Sequence, residues 1–85
     1  MKVHITGANT CWIDTKNGQY LQSYNTIVAC LLFNNPDKQG YIRYTIKHGQ
    51  PQSVTTAKHL TQWLGEPYKQ ALNSGRAVYG DIPEL

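Results

Sequence analysis

Asn17-Gly18 is the residue pair that most constrains this chain. It stands between "TCWIDT" (10–15) and "QYLQSY" (19–24), two segments that suit strands. Asn-Gly between such segments is the strongest short hairpin signal, because a type I′ turn needs positive φ at both central positions. It predicts an antiparallel pair with Thr15 opposite Tyr20 and Ile13 opposite Gln22.

The segments around this hairpin extend it into a sheet. "KVHIT" (2–6) alternates, with Val3 and Ile5 on one face, and reads as a short strand. "TIVACLLF" (26–33) is continuously apolar with turn-like flanks, which favours a central strand. "NNPDKQG" (34–40) is a polar loop. "YIRYTIKH" (41–48) alternates again, with Ile42, Tyr44 and Ile46 on one face and Tyr41, Arg43, Thr45 and Lys47 on the other, wetter one. "GQPQS" (49–53) then breaks the strand.

Helical signals follow. In "TTAKHLTQWL" (55–64), Ala57, Leu60 and Leu64 fall at helical spacing beside Trp63. Ser53 or Thr55 suits the N-cap and Gly65 the C′ position. "EPYKQALNSG" (66–75) offers a second short helix with Pro67 near its first turn. In the tail, Val78, Tyr79 and Ile82 either pin the chain to the body or add one edge strand. Strands first and helices later predict one α+β domain over 1–85. Its antiparallel sheet has four to five strands, with one or two C-terminal helices packed on one face.

With 85 residues, 40% of them hydrophobic, the chain has enough apolar surface for one core and is unlike a disordered segment. A net charge of +3 comes from scattered cations, with no basic stripe of the kind a duplex binder carries. Cys11 and Cys30 lie in apolar strand-like runs and read as buried free thiols in a reducing compartment. Met1-Lys2 leads straight into a strand, without the apolar run of a signal peptide, and no run approaches the about 20 residues of a membrane span. A cytoplasmic protein is expected.

Enzyme chemistry finds little support. Asp14, Asp37, Glu66, Asp81 and Glu84 show no spacing suited to paired acid–base work. GxSxG, P-loop and HExxH patterns are absent. His4, His48 and His59 are far apart, and no Cys/His spacing suggests zinc. No catalytic residue, metal or cofactor is expected.

Binding chemistry has two candidates. The first turn of a helix holds anions through its unpaired N–H groups and partial positive charge. Thr55, Thr56, Lys58 and His59 crowd that turn, with Lys58, His59 and Gln62 placed away from the Ala57/Leu60/Leu64 stripe. They read as an ordinary cap with a solvated face before they read as a phosphate seat. Tyr41 beside Arg43 and Lys47 could stack bases, finish a small sheet's surface, or meet a protein. Trp12 and Trp63 belong to the core or its rim.

At "LQSYNTIVA" (21–29) and "TTAKHLTQWL" (55–64) the chain resembles a family of small, functionally uncharacterised bacteriophage proteins. Ser23, Tyr24, Thr26, Val28, Ala29, Thr55, Thr56, Lys58 and His59 carry the likeness, over roughly residues 2–65. The resemblance implies a phage gene product acting in the host bacterial cytoplasm, of the sort that binds and blocks a host machine, defence systems included. Two expectations follow. One is a phosphate-bearing ligand, a nucleotide signal or single-stranded nucleic acid, held by Thr55, Thr56, Lys58 and His59 and stacked by Tyr24, Tyr41 or Tyr44. The other is inhibition of a host defence protein through the sheet face or an edge strand, where Tyr41 and Arg43 would make contact. No membrane partner is expected. A homodimer could assemble through the "KVHIT" edge or the tail.

Overall fold

The computed structural model describes residues 1–34, 36 and 39–83. Asp37 and Lys38 of the polar loop, and Glu84 of the tail, lie outside them. In chain order the elements are β1 (Lys2–Gly7), β2 (Thr10–Thr15), β3 (Gly18–Ser23), β4 (Thr26–Leu32), β5 (Tyr44–Lys47), α1 (Val54–Leu64), α2 (Tyr68–Ser74) and β6 (Ala77–Gly80). The class is α+β. The strands form one six-stranded sheet in the order of the sequence.

The sheet differs from the expected one of four to five antiparallel strands in two ways. The tail adds a sixth strand, and that strand pairs parallel to β5. A parallel neighbour needs a crossover of a dozen or more residues, and α1 and α2 supply it. Strand β5 is also shorter than expected. It begins at Tyr44, so Tyr41, Ile42 and Arg43 precede the sheet and do not share its faces.

The hairpin at Asn17-Gly18 is present, in a different register. Thr15 pairs with Gly18, Asp14 with Gln19 and Ile13 with Tyr20, two residues away from the expected pairing. Lys16 and Asn17 make the turn, and neither Asn17 nor Gly18 has positive φ. The Thr15 hydroxyl closes the turn, donating to Gly18 O at 3.1 Å and accepting from the Asn17 N–H at 3.2 Å. Gly18 serves close approach instead. A Cβ there would lie 2.0 Å from the Leu31 carbonyl oxygen and 2.9 Å from Leu32 Cα.

Register divides the sheet into two faces. His4, Trp12, Leu21, Ala29, Ile46 and Tyr79 run across one face as successive partners. On it Leu21, Ala29 and Ile46 pack with Leu60, Trp63, Leu64, Ala71 and Ala77 to form the main core. A bulge opposite Leu21/Gln22 leaves Val28 as an extra residue, which joins the same core as Ala29. The other face carries Val3, Ile13, Tyr20, Cys30, Thr45 and Val78. No helix covers it. Ile13, Tyr20 and Cys30 are nevertheless buried there, with Cys11, Ile27, Leu32 and the tail residue Ile82 against them. The tail thus does both things expected of it, pairing through 77–80 and packing through Ile82.

Both cysteines are free, Cys30 buried and Cys11 half-buried. Burial pushes the Cys30 thiol up, away from the reactive thiolate form. Among the described residues no helix is long and apolar enough to cross a membrane.

Candidate functional site

Helix α1 starts where the sequence predicts. Ser53 is the N-cap, and its Oγ accepts the Thr56 N–H at 3.1 Å. Gly65 ends the helix in the left-handed conformation at φ 81° and donates its N–H to Thr61 O. No acidic side chain lies in the first turn and no basic one in the last, so the positive end of the helix carries no side-chain counter-charge.

The helix is rotated relative to expectation. Its buried side consists of Thr56, His59, Leu60, Trp63 and Leu64. Thr56 and His59 therefore face inward, while Thr55 and Lys58 are exposed. Lys58 lines a separate outer groove with Val54, Ala57, Thr61 and Gln62. The four residues of the expected phosphate seat do not share one side. Two polar residues can sit in the inner stripe because Ser23, from the end of β3, satisfies both. Ser23 Oγ lies 2.8 Å from His59 Nδ1 and 3.1 Å from Thr56 Oγ1. The Ser53 hydroxyl donates to the same Thr56 Oγ1 at 3.1 Å. The segments 21–29 and 55–64 are thus joined by a buried hydroxyl–imidazole network.

Tyr24 follows Ser23 in the turn between β3 and β4, at φ 56°. A bulky residue in that region is a conformational outlier, of the kind that clusters at functional positions. Two bonds hold it: its N–H donates to Asn9 O at 2.6 Å, and the Gln22 side-chain amide donates to its carbonyl at 2.9 Å. Tyr24 is 46% exposed, and its ring centroid lies 6.2 Å from that of His59. Beside it opens a cavity of about 340 Å³ lined by Tyr24, Thr26, Gln50, Gln52 and Ser53, with the buried Ser23, Val28 and Thr56. Its lining includes hydroxyls and amides, no charged side chain, and the start of α1.

Tyr41, Arg43 and Tyr44 lie elsewhere, near the opposite end of α1. Tyr44 packs edge-on against Trp63 with centroids 5.0 Å apart. The Arg43 guanidinium lies 5.8 Å from the Tyr41 ring and donates to the Gly75 carbonyl after α2. Arg76 bonds Glu66 at 2.7 Å and Leu64 O at 3.1 Å, with its guanidinium 5.2 Å from the Tyr44 ring. These contacts tie the end of α1, α2 and the start of β5 together. The hollow of about 280 Å³ between Tyr41, Ile42, Arg43 and Arg76 is separate from the first cavity. Eleven residues of helix, about 16 Å, stand between the two ends.

One cluster was not expected from the sequence. Asp14 accepts from the Gln19 amide at 2.6 Å and bonds His4 Nε2 at 2.7 Å, while Gln19 Oε1 accepts from Trp63 Nε1 at 2.8 Å. This chain of bonds runs from the core to the outermost strand. The Gln19 and His4 hydrogen bonds hold the Asp14 carboxyl below its ordinary value. The signal that could have found it is the pairing of Asp14 with Gln19, which the expected hairpin register misplaced. Among the described residues no three His, Cys, Asp or Glu side chains converge to hold a metal.

Residues 1–79 match the model of a family of unknown function, DUF8033. The chain belongs to that family. No curated protein and no solved structure matches it. The DUF8033 match takes in the Ser23–Thr56–His59 network, both helices and all of β6 except Gly80.

Proposed function

We propose that this DUF8033 chain is a non-enzymatic binding protein that takes a phosphate-bearing ligand, a nucleotide signal or a short single strand, beside Tyr24 at the start of α1. The observation that carries this reading is the cavity of about 340 Å³ where the β3–β4 turn meets the α1 cap. The first N–H groups of the helix, those of Val54 and Thr55, have no intrahelical acceptor and no acidic neighbour in the first turn. The exposed Tyr24 ring offers a stacking platform. His59 acts from behind, holding Ser23, which in turn bonds Thr56. The likeness of residues 21–29 and 55–64 to small phage proteins supports a wider role as a phage accessory protein that modulates a host defence system in the bacterial cytoplasm.

The test is native mass spectrometry and calorimetry against cyclic di- and trinucleotides and short single-stranded DNA. Binding is expected, weakening as salt rises. Tyr24→Asn keeps a residue that tolerates positive φ and removes the ring, so affinity should fall about tenfold or more, in line with the loss of one stacking contact. Lys58→Ala should change affinity little, because its side chain lines the outer groove. Absence of binding by every nucleotide, or full affinity in Tyr24→Asn, would overturn the reading.

A second reading is inhibition of a host protein. It is favoured by the sheet face that no helix covers, on whose rim Val3, Ile5 and Val78 are exposed. Its contacts would be these residues rather than Tyr41 and Arg43, which precede β5. Charge substitution at Val78 would then break a complex with the host protein and leave nucleotide binding unchanged.

A further inference from the structure

The outermost strand β1 has a partner on one side only, β2. Such an edge presents unpaired N–H and C=O groups, and natural sheets guard it with charge, proline or short length. The far edge is guarded in this way: β6 has only four residues and lies between Arg76 and the Asp81–Pro83 segment. Strand β1 has six residues, no proline, and one charged residue at its start, Lys2. Val3 is 53% and Ile5 83% exposed, both on the face that no helix covers.

Read against its own reverse, the strand is self-complementary. With His4 on a twofold axis, Val3 of one copy falls opposite Ile5 of the other, and Lys2 falls opposite Thr6. Branched apolar cross-strand pairs stabilise such a ladder, and no like charges stand directly opposite. The two His4 side chains meet on the other face, and each brings its own carboxylate, Asp14 at 2.7 Å. Beside the four apolar side chains the strand residues of the uncovered face carry one charge, Lys47, on β5, next to the far edge strand of the sheet. Two copies of net charge +3 can approach there without opposed cations at the contact. The bulge between Ile5 and Gly7 ends the flat part of the strand, which confines pairing to residues 2–6.

We propose that β1 pairs antiparallel with β1 of a second copy of this chain, centred on His4, to give a closed twofold dimer with one continuous sheet. A twofold contact uses the same edge on both copies and closes, whereas pairing of β1 with β6 of another copy would propagate into fibres. This inference is independent of the ligand cavity, since Tyr24 and Ser53 are not part of the contact.

The test is light scattering of the full chain over a dilution series. The wild type is expected at twice the 9.6 kDa chain mass, dissociating on dilution. Val3→Lys alone and Ile5→Glu alone should each be monomeric with wild-type circular dichroism, since both side chains are exposed. The double variant Val3→Lys/Ile5→Glu should recover the dimer, because each introduced lysine faces the other copy's introduced glutamate. Val78→Lys, at the opposite edge, should leave the dimer intact. A monomeric wild type, a dimer that survives Ile5→Glu, failure of the double variant to recover, or loss of the dimer in Val78→Lys would each overturn the proposal.

Discussion

Gly18 and Tyr24 hold exchanged roles. The glycine adopts no positive φ, while the tyrosine does. Gly18 is needed because the backbone of β4 passes where a side chain would stand. Gly18→Ala forces a Cβ to 2.0 Å from the Leu31 carbonyl oxygen, and rigid backbone on both sides cannot yield cheaply. A loss of about 3 kcal/mol, at the upper end of ordinary overpacking costs, is expected from urea denaturation. The Asn-Gly pair announced a hairpin at the right place, but for a reason the structure does not use. Local turn chemistry is legible in sequence; the approach of a third strand is not.

At the scale of elements, the join between β3 and α1 is made by side chains far apart in sequence. Ser23, Thr56 and His59 are buried together, and their polar atoms satisfy one another. Ser23→Ala leaves His59 Nδ1 without this partner in the interior, at a cost of about 1–3 kcal/mol. The melting temperature should fall accordingly, and the double variant Ser23→Ala/His59→Leu should recover part of the loss, since an apolar pair leaves nothing unsatisfied there. The sequence offered Thr56 and His59 as candidate site residues but put His59 on the wet side of the helix, because polar side chains ordinarily face water. Their inward position depends on a hydroxyl supplied by another element. Tyr41 and Arg43 were read with Lys47 as an aromatic–cationic face, but both precede β5, and with Tyr44 and Arg76 they tie α1, α2 and β5 together.

Across the whole molecule, the bond chain His4–Asp14–Gln19–Trp63 links the edge strand to the core, and it makes stability depend on pH. The folded state lowers the Asp14 carboxyl below its ordinary value of 3.8, chiefly through the Gln19 hydrogen bond and then that of His4. The unfolded chain therefore binds this proton more readily. The contribution is fully present above the unfolded value and is lost as pH falls through the lower folded one. Urea midpoints taken from neutral pH down to about pH 3 should decline in the wild type. They should decline less in Asp14→Asn, which starts lower at neutral pH. An unchanged slope in the variant would show that other carboxylates carry the acid sensitivity.

The sequence by itself determined the α+β class, the first four strands within a residue or so of their ends, and both helices, the first with a cap at Ser53 or Thr55 and a stop at Gly65. These follow from alternation, apolar runs and capping, which act over a few neighbouring residues. Only the tertiary structure decided the hairpin register, the sixth strand and its parallel direction, the rotation of α1, and the separation of Tyr24 from Tyr41 and Arg43. Each of those depends on contacts between residues distant in the chain. β6 pairs with β5 across the α1–α2 crossover, Ser23 reaches His59 from another element, and Leu31 excludes a side chain at Gly18. Patterns of a few residues carry no information about which distant group will arrive.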